Sequence, residues 1–91
     1  MALVALDSVQ IFGEVPSGLI NGANNVFTTG SKFVNGAERM LYNGARLVPG
    51  VGEDYTTSES GGVGTGYDTI TFVRPTPPRA GDKILVDYVR A

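Results

Sequence analysis

The segment Arg39-Met-Leu-Tyr-Asn-Gly-Ala-Arg-Leu-Val48 constrains the fold more than any other stretch, because it sets two short apolar runs on either side of Asn43-Gly44. A two-residue turn of type I′ needs positive φ at both central positions. Asn tolerates that conformation, Gly adopts it freely, and the twist of the turn matches that of the strands it joins. The segment is therefore a β-hairpin. Met40 and Tyr42 fall on one face of its first strand and Leu41 on the other; Arg46, Leu47 and Val48 follow the turn, and Pro49-Gly50 ends it.

The rest of the chain is punctuated in the same way. Val9 to Val15 fits a first strand that Pro16, Ser17 and Gly18 stop. Asn21-Gly22 and Asn24-Asn25 mark a turn before Val26-Phe-Thr-Thr29, a β-branched and aromatic run that Gly30-Ser31 is expected to break. Phe33 and Val34 belong either to a short strand or to a loop plugged into the core, and Asn35-Gly36 turns the chain again. Tyr55 to Glu59 has the polarity of an edge strand, Gly61 to Gly66 that of a flexible loop, and Thr69 to Val73 is β-branched at almost every position. Pro75, Pro77 and Pro78 exclude a central strand and form a rigid connection. In the last strand, Lys83 to Arg90, Ile84, Val86 and Tyr88 share one face and Leu85, Asp87 and Val89 the other. Both faces carry apolar groups, which points to a central strand or one covered by a partner.

No amphipathic helical period longer than about two turns appears, and no repeat of solenoid length. With 13 Gly and 5 Pro in 91 residues, the composition suits many turns joining short strands. The expected fold is all-β: a small antiparallel β-sandwich or open barrel of six to seven short strands around the Asn-Gly hairpin. Residues 9–91 form its single domain, and residues 1–8 are either an N-terminal arm or an extension of the first strand. The expected core is Phe27, Leu41, Leu47, Ile70, Phe72, Ile84, Val86 and Tyr88.

Charge and composition exclude several functions. Nine acidic against seven basic side chains give a net charge of -2, with no Lys/Arg patch, so nucleic-acid binding is not expected. Cysteine and histidine are both absent. There is then no disulfide framework, no thiolate metal site, and none of the commonest general base or metal ligand. The start Met-Ala-Leu-Val-Ala-Leu is apolar for six residues before Asp7, too short for a membrane span and without the basic region of a secretion signal. The expected product is made soluble in the cytoplasm, with no membrane insertion.

The motifs that suggest chemistry have simpler accounts. Gly62-x-Gly64 lacks the third Gly of a dinucleotide fingerprint, since Tyr67 stands there, and no helix follows to receive a phosphate. Glu53, Asp54, Asp82 and Asp87 lack the spacing of a calcium loop; Glu53 and Asp54 solvate a turn and Asp82 opens the final strand. The serines have no His and no nucleophile elbow. No cofactor and no catalysis are expected. Among the tyrosines, Tyr42 and Tyr88 sit within strand patterns, whereas Tyr67 beside the glycines is the expected exposed ring, suited to carbohydrate contact.

A longer pattern joins these elements: Pro16-Ser17-Gly18 and Asn21-Gly22 to Phe27, then Leu41-Tyr42-Asn43-Gly44-x-Arg46-Leu47 and Gly52-x-Asp54-Tyr55-Thr56. It continues through Asp68-Thr-Ile-Thr-Phe72, Pro77-Pro78, Ala80-Gly81-Asp82 and Val86-Asp87-Tyr88. From about Pro16 to Arg90 the chain resembles the small β-sandwich modules of tailed-bacteriophage virion proteins, found in tail fibres and as accessory subunits on heads and tails. It departs from them in the Gly-rich insertion at Gly61 to Tyr67 and in one extra residue before Asp54-Tyr55.

The resemblance implies a noncatalytic component of an assembled particle, localised to the virion. Its partners would be capsid, neck or tail subunits and further copies of itself, with a bacterial surface glycan as the alternative. Because the chain starts with Met and ends just after the module, a stand-alone subunit is expected. In such a protein surface does the work, since symmetry multiplies weak contacts. Leu3, Val4 and Leu6 of the arm, with Ile11 and Phe12, are the expected docking residues; Gly64 and Tyr67 are the expected outward tip.

Overall fold

The computed structural model describes residues 9–73 and 77–91. Seven strands follow one another: β1 (Gln10–Glu14), β2 (Val26–Phe33), β3 (Arg39–Tyr42), β4 (Ala45–Arg46), β5 (Tyr55–Ser58), β6 (Tyr67–Phe72) and β7 (Ile84–Val89). They form two antiparallel sheets, one of four strands ordered β1-β7-β3-β4 and one of three ordered β2-β6-β5. The fold is all-β, an open sandwich and not a closed barrel. Among the described residues there is no helix, and hence none long and apolar enough to cross a membrane.

The Asn-Gly hairpin has the conformation its sequence requires. Asn43 has φ 51° and Gly44 φ 88°, both in the left-handed region, and Leu41 faces Arg46 while Tyr42 faces Ala45. The hairpin is also held from outside. The Asn43 amide hydrogen donates to the carbonyl of Lys83 at 2.8 Å, and the Asn43 side-chain oxygen accepts the Lys83 amide at 2.7 Å. Asp82 gathers the surrounding donors: the Tyr42 hydroxyl, the Asn43 side-chain amide at 3.1 Å and the Arg79 backbone amide at 2.8 Å. The Tyr42 hydroxyl, then the Arg79 amide and Asn43, hold the Asp82 carboxyl below its ordinary pKa. Asp82 thus opens the final strand and clamps it to the hairpin turn.

The core lies between the sheets. Phe27, Phe33, Tyr55, Ile70 and Phe72 come from the three-stranded sheet, Met40, Ile84, Val86 and Tyr88 from the four-stranded one, and Leu47 from the exit of the hairpin. Each fully buried side chain of this size contributes roughly 1.5–3 kcal/mol. Phe27 meets Phe72 edge-on, with centroids 5.5 Å apart and planes at 77°, the arrangement that the ring quadrupoles favour. Gly18 makes room for this pair: a Cβ there would lie 2.4 Å from the Phe27 ring, and its φ of 150° already suits glycine.

Four sequence expectations are corrected. Leu41 is not a core residue, since Met40 opposes buried Val86 and so points inward, whereas Leu41 opposes Leu85 on the outer face. Gly30-Ser31 does not end β2; the strand continues to Phe33 through a register shift between Thr28 and Phe33. The Gly30 amide donates to Glu14 Oε2 at 2.6 Å, so glycine marks a close approach of β1 and not a break. Tyr55 lies in an edge strand, as its neighbours suggest, but is itself buried. Tyr67 is the first residue of β6 and not part of the loop.

β7 is central in its sheet, as the apolar groups on both its faces suggest. At one corner the sheets are stitched together: Phe33 bridges Arg90, the Val34 amide donates to Val89 and the Ala91 amide to Lys32. Val9 joins the same corner through its carbonyl, which accepts the Arg90 amide at 2.8 Å. Pro78 is buried; Pro75 lies outside the described residues, as do Leu3, Val4 and Leu6.

Candidate functional site

Acidic side chains are the first place to look for chemistry in a chain without His or Cys, and here seven of them accept backbone amides. Glu14 accepts the amide of Gly30, Glu38 that of Gly36, Asp54 that of Val48 and Glu59 those of Gly64 and Gly66. Asp68 accepts the amide of Ser60, Asp82 that of Arg79 and Asp87 that of Gly13. Loops leave N–H groups without strand partners, and a carboxylate satisfies them with charge-assisted bonds. Among the described residues, no three His, Cys, Asp or Glu side chains gather where a metal would be held.

Two of these carboxylates also fasten the sandwich from within. Glu14 Oε1 accepts the Tyr88 hydroxyl at 2.5 Å, so one side chain links β1, β7 and, through Gly30, β2 in the opposite sheet. Glu38, itself buried, accepts the hydroxyl of buried Tyr55 at 2.9 Å. Burial, with the carboxylate partner adding, raises both phenol pKa values above the ordinary one, so each tyrosine stays a donor throughout the neutral range. Among the described residues no buried side-chain polar atom lacks a partner.

The tyrosines are occupied in the same way. Tyr42 bonds Asp82, Tyr55 bonds Glu38 and Tyr88 bonds Glu14. Tyr67, expected at an exposed tip, is partly buried against Phe33, with centroids 6.3 Å apart. The register shift between β2 and β6 sets Tyr67 opposite Phe33, and this pairing brings its ring against the edge of the core. The outward point of the Gly-rich loop is instead Val63, fully exposed, beside exposed Gly64. The loop has internal order: Glu59 accepts two of its amides, and the Thr65 hydroxyl donates to the Gly62 carbonyl at 2.6 Å.

One outward-facing surface is the outer side of the four-stranded sheet. The register places Gln10 opposite Val89, Arg39 opposite Asp87, Leu41 opposite Leu85 and Arg46 opposite Leu41, all on the side away from the core. Phe12 shares this side and is 72% exposed, the one exposed aromatic ring among the described residues. Its neighbour Ile11 faces the other way, opposite Tyr88, and packs on the core. Strand alternation thus divides the two expected docking residues, leaving Phe12 at the surface. Two hollows mark this face. One of about 300 Å³ is bordered by Gln10, Phe12, Arg39, Arg46, Asp87 and Val89; the other, of about 390 Å³, is bordered by Leu41, Asn43, Gly44, Gly81, Lys83 and Leu85.

Cations slightly outnumber anions around the two hollows, Arg39, Arg46 and Lys83 against Asp87 and Glu38. Among the described residues no ion pair holds Arg39 or Arg46, while Asp87 is engaged by the Gly13 amide at 2.7 Å. A mixed face with an exposed ring, aliphatic side chains and unpaired arginines has the composition found at protein contacts. Fold and surface together define a small all-β sandwich whose four-stranded sheet presents a weakly basic outer face. Comparison of the chain with protein-family models, with curated proteins and with solved structures finds no match.

Proposed function

We propose that this chain is a noncatalytic structural subunit of a tailed-bacteriophage virion, a head-decoration, head-tail junction or tail accessory protein that docks on repeated neighbouring subunits. The observation that carries the proposal is the outer face of the β1-β7-β3-β4 sheet, where Phe12 stands exposed beside the point at which residues 1–8 join the domain. Two features support it: the motif pattern from Pro16 to Arg90, and the use of carboxylates and tyrosines to hold the fold. The subunit is made soluble in the host cytoplasm and enters the particle by surface contact, with copies repeated by symmetry.

Gradient-purified particles of the phage that encodes the chain provide the test. A labelled chain is expected to band with the particles, and a chain lacking residues 1–7 to keep its thermal unfolding transition but stay in the soluble fraction. A wild-type chain found only in the soluble fraction overturns the proposal. The competing function, a receptor- or glycan-binding tail-fibre module, has one observation in its favour, the exposed Phe12 ring. Saturable binding of the isolated protein to bacterial surface polysaccharide, abolished by Phe12→Ala, is the result that selects it.

A further inference from the structure

The chain contains three Asn-Gly steps, Asn21-Gly22, Asn35-Gly36 and Asn43-Gly44. Such a step can modify itself, because a glycine puts no side chain in the way when its amide nitrogen attacks the preceding asparagine side chain. We propose that Asn35-Gly36 is a self-modification site, at which the folded chain promotes conversion of Asn35 through a cyclic succinimide to aspartate and isoaspartate. The site stands apart from the assembly function proposed above and does not depend on it.

Two neighbours supply what the reaction needs. The Gly36 amide, which is the nucleophile, donates to Glu38 Oε1 at 2.8 Å, within reach of a proton acceptor. Glu38 is buried, and its other oxygen accepts the Tyr55 hydroxyl at 2.9 Å, so the carboxylate is held in place. On the electrophile, the Thr57 hydroxyl donates to Asn35 Oδ1 at 2.6 Å. That bond polarises the side-chain carbonyl and stabilises the negative charge that develops on its oxygen during attack. Thr57 comes from β5, 22 positions along the chain, so only folding brings its hydroxyl to Asn35. Asn35 is itself exposed, and together with Gly36, Glu38 and Thr57 it borders a hollow of about 340 Å³.

Water is the only other reagent required. Gly36 N bonds to Asn35 Cγ and passes its proton to Glu38. Glu38 returns the proton to Nδ2 as the Cγ–Nδ2 bond breaks, and ammonia leaves. Water then opens the succinimide at either carbonyl, giving an aspartate or an isoaspartate and one more negative charge on the chain.

The other two steps are held against the same chemistry. Asn43 is pinned at both ends of its side-chain amide, Nδ2 to Asp82 at 3.1 Å and Oδ1 to the Lys83 amide at 2.7 Å, on a left-handed backbone. Asn21 Oδ1 accepts the amides of Ala23 and Asn24. The Gly22 amide donates to the Pro78 carbonyl at 2.7 Å, an acceptor that takes up no proton.

Mass spectrometry of the intact chain, aged at neutral pH and then digested, tests the proposal. Cleavage after Lys and Arg puts Asn35 in peptide 33–39, Asn43 in peptide 40–46 and Asn21 in peptide 1–32. The mass gain from NH₂ to OH, with separate elution of the isoaspartyl form, is expected in peptide 33–39 at least tenfold faster than in the other two. In denaturant, peptides 33–39 and 40–46 are expected to convert at similar rates, since both carry Asn-Gly-Ala. Glu38→Gln can still accept the Gly36 hydrogen bond but takes no proton, and it should slow peptide 33–39 at least tenfold in the folded chain while leaving peptide 40–46 unchanged. Thr57→Val should slow peptide 33–39 as well, and it carries the test if Glu38→Gln lowers the unfolding temperature. Conversion of Asn35 no faster than that of Asn43 in the folded chain, an advantage that persists in denaturant, or a rate that neither variant lowers overturns the proposal.

Discussion

Asp68 offers the sharpest test of the claim that carboxylates in this chain hold the fold. It is buried in β6 and accepts four bonds: from the Ser60 amide at 2.9 Å, the Ser60 hydroxyl at 2.6 Å, Lys32 Nζ at 2.9 Å and the Thr69 hydroxyl at 3.0 Å. In Asp68→Asn, Oδ1 keeps its acceptor role toward Ser60 N and Thr69. The new NH₂ group faces Lys32, a donor, and the Ser60 hydroxyl, which must rotate to accept. One charge-assisted bond to a largely buried group is lost, about 1.5–3 kcal/mol. The Lys32 contact adds at most about 1 kcal/mol, because the lysine side chain is 42% exposed and its pairing is screened by water. A loss of about 2 kcal/mol corresponds to a fall of roughly 8–16 °C in Tm for a domain of this size.

The pH dependence gives that prediction its sign. The Ser60 hydroxyl and amide, helped by Lys32 and Thr69 against the opposing effect of burial, hold the Asp68 carboxyl well below the ordinary carboxylate range. A carboxyl whose folded pKa is depressed stabilises the fold above its unfolded pKa, about 3.9, and loses that contribution as pH falls toward the folded value. Thermal unfolding of wild type and Asp68→Asn, followed by circular dichroism, should therefore show the full Tm gap from pH 5 to 7. The gap should narrow steadily below about pH 4, because a protonated Asp resembles Asn. A gap of the same size at pH 7 and at pH 2, or no gap at pH 7, refutes the assignment.

Other substitutions probe separate parts of the account. Tyr55→Phe leaves Glu38 Oε2 buried without its hydroxyl donor and should cost about 1–3 kcal/mol in denaturant unfolding. Gly18→Ala pushes a methyl group to 2.4 Å from the Phe27 ring in a backbone conformation that disfavours side chains, and should destabilise by about 1–3 kcal/mol; an unchanged midpoint would show that the Phe27–Phe72 pair does not need this approach. Phe12→Ser, at an exposed position, should shift stability by no more than about 0.5 kcal/mol while abolishing incorporation into particles.

Where local chemistry decides structure, the sequence is legible. Asn43-Gly44 specifies its turn within two residues, and Ile84, Val86 and Tyr88 alternate clearly enough to place their face inward. Met40 and Leu41 show where this ends: a period of two separates the faces, but only pairing with Val86 in β7 decides which one is core, and the more hydrophobic-looking Leu41 lies outside. Tyr55 escapes a local reading because its buried hydroxyl is satisfied by Glu38, a residue 17 positions away. Gly30 resembles a strand breaker until Glu14 arrives from the neighbouring sheet to take its amide. At the surface, alternation within Ile11-Phe12 could have separated the core-facing residue from the exposed one, had the pairing of β1 with β7 been known. Tyr67 misleads for the opposite reason, since its glycine neighbours suggest a loop whereas it opens a strand and a register shift sets it against Phe33.

The central claim is that this domain works by presenting the outer face of its four-stranded sheet to neighbouring subunits in a particle. Electron cryomicroscopy of purified phage particles carrying the labelled chain tests it directly. The account predicts density for the sandwich at regularly repeated positions, with Phe12, Leu41 and Leu85 turned into a contact with the adjoining subunit. Particles lacking the chain, or a sandwich whose outer sheet face is open to solvent at every position it occupies, would contradict it.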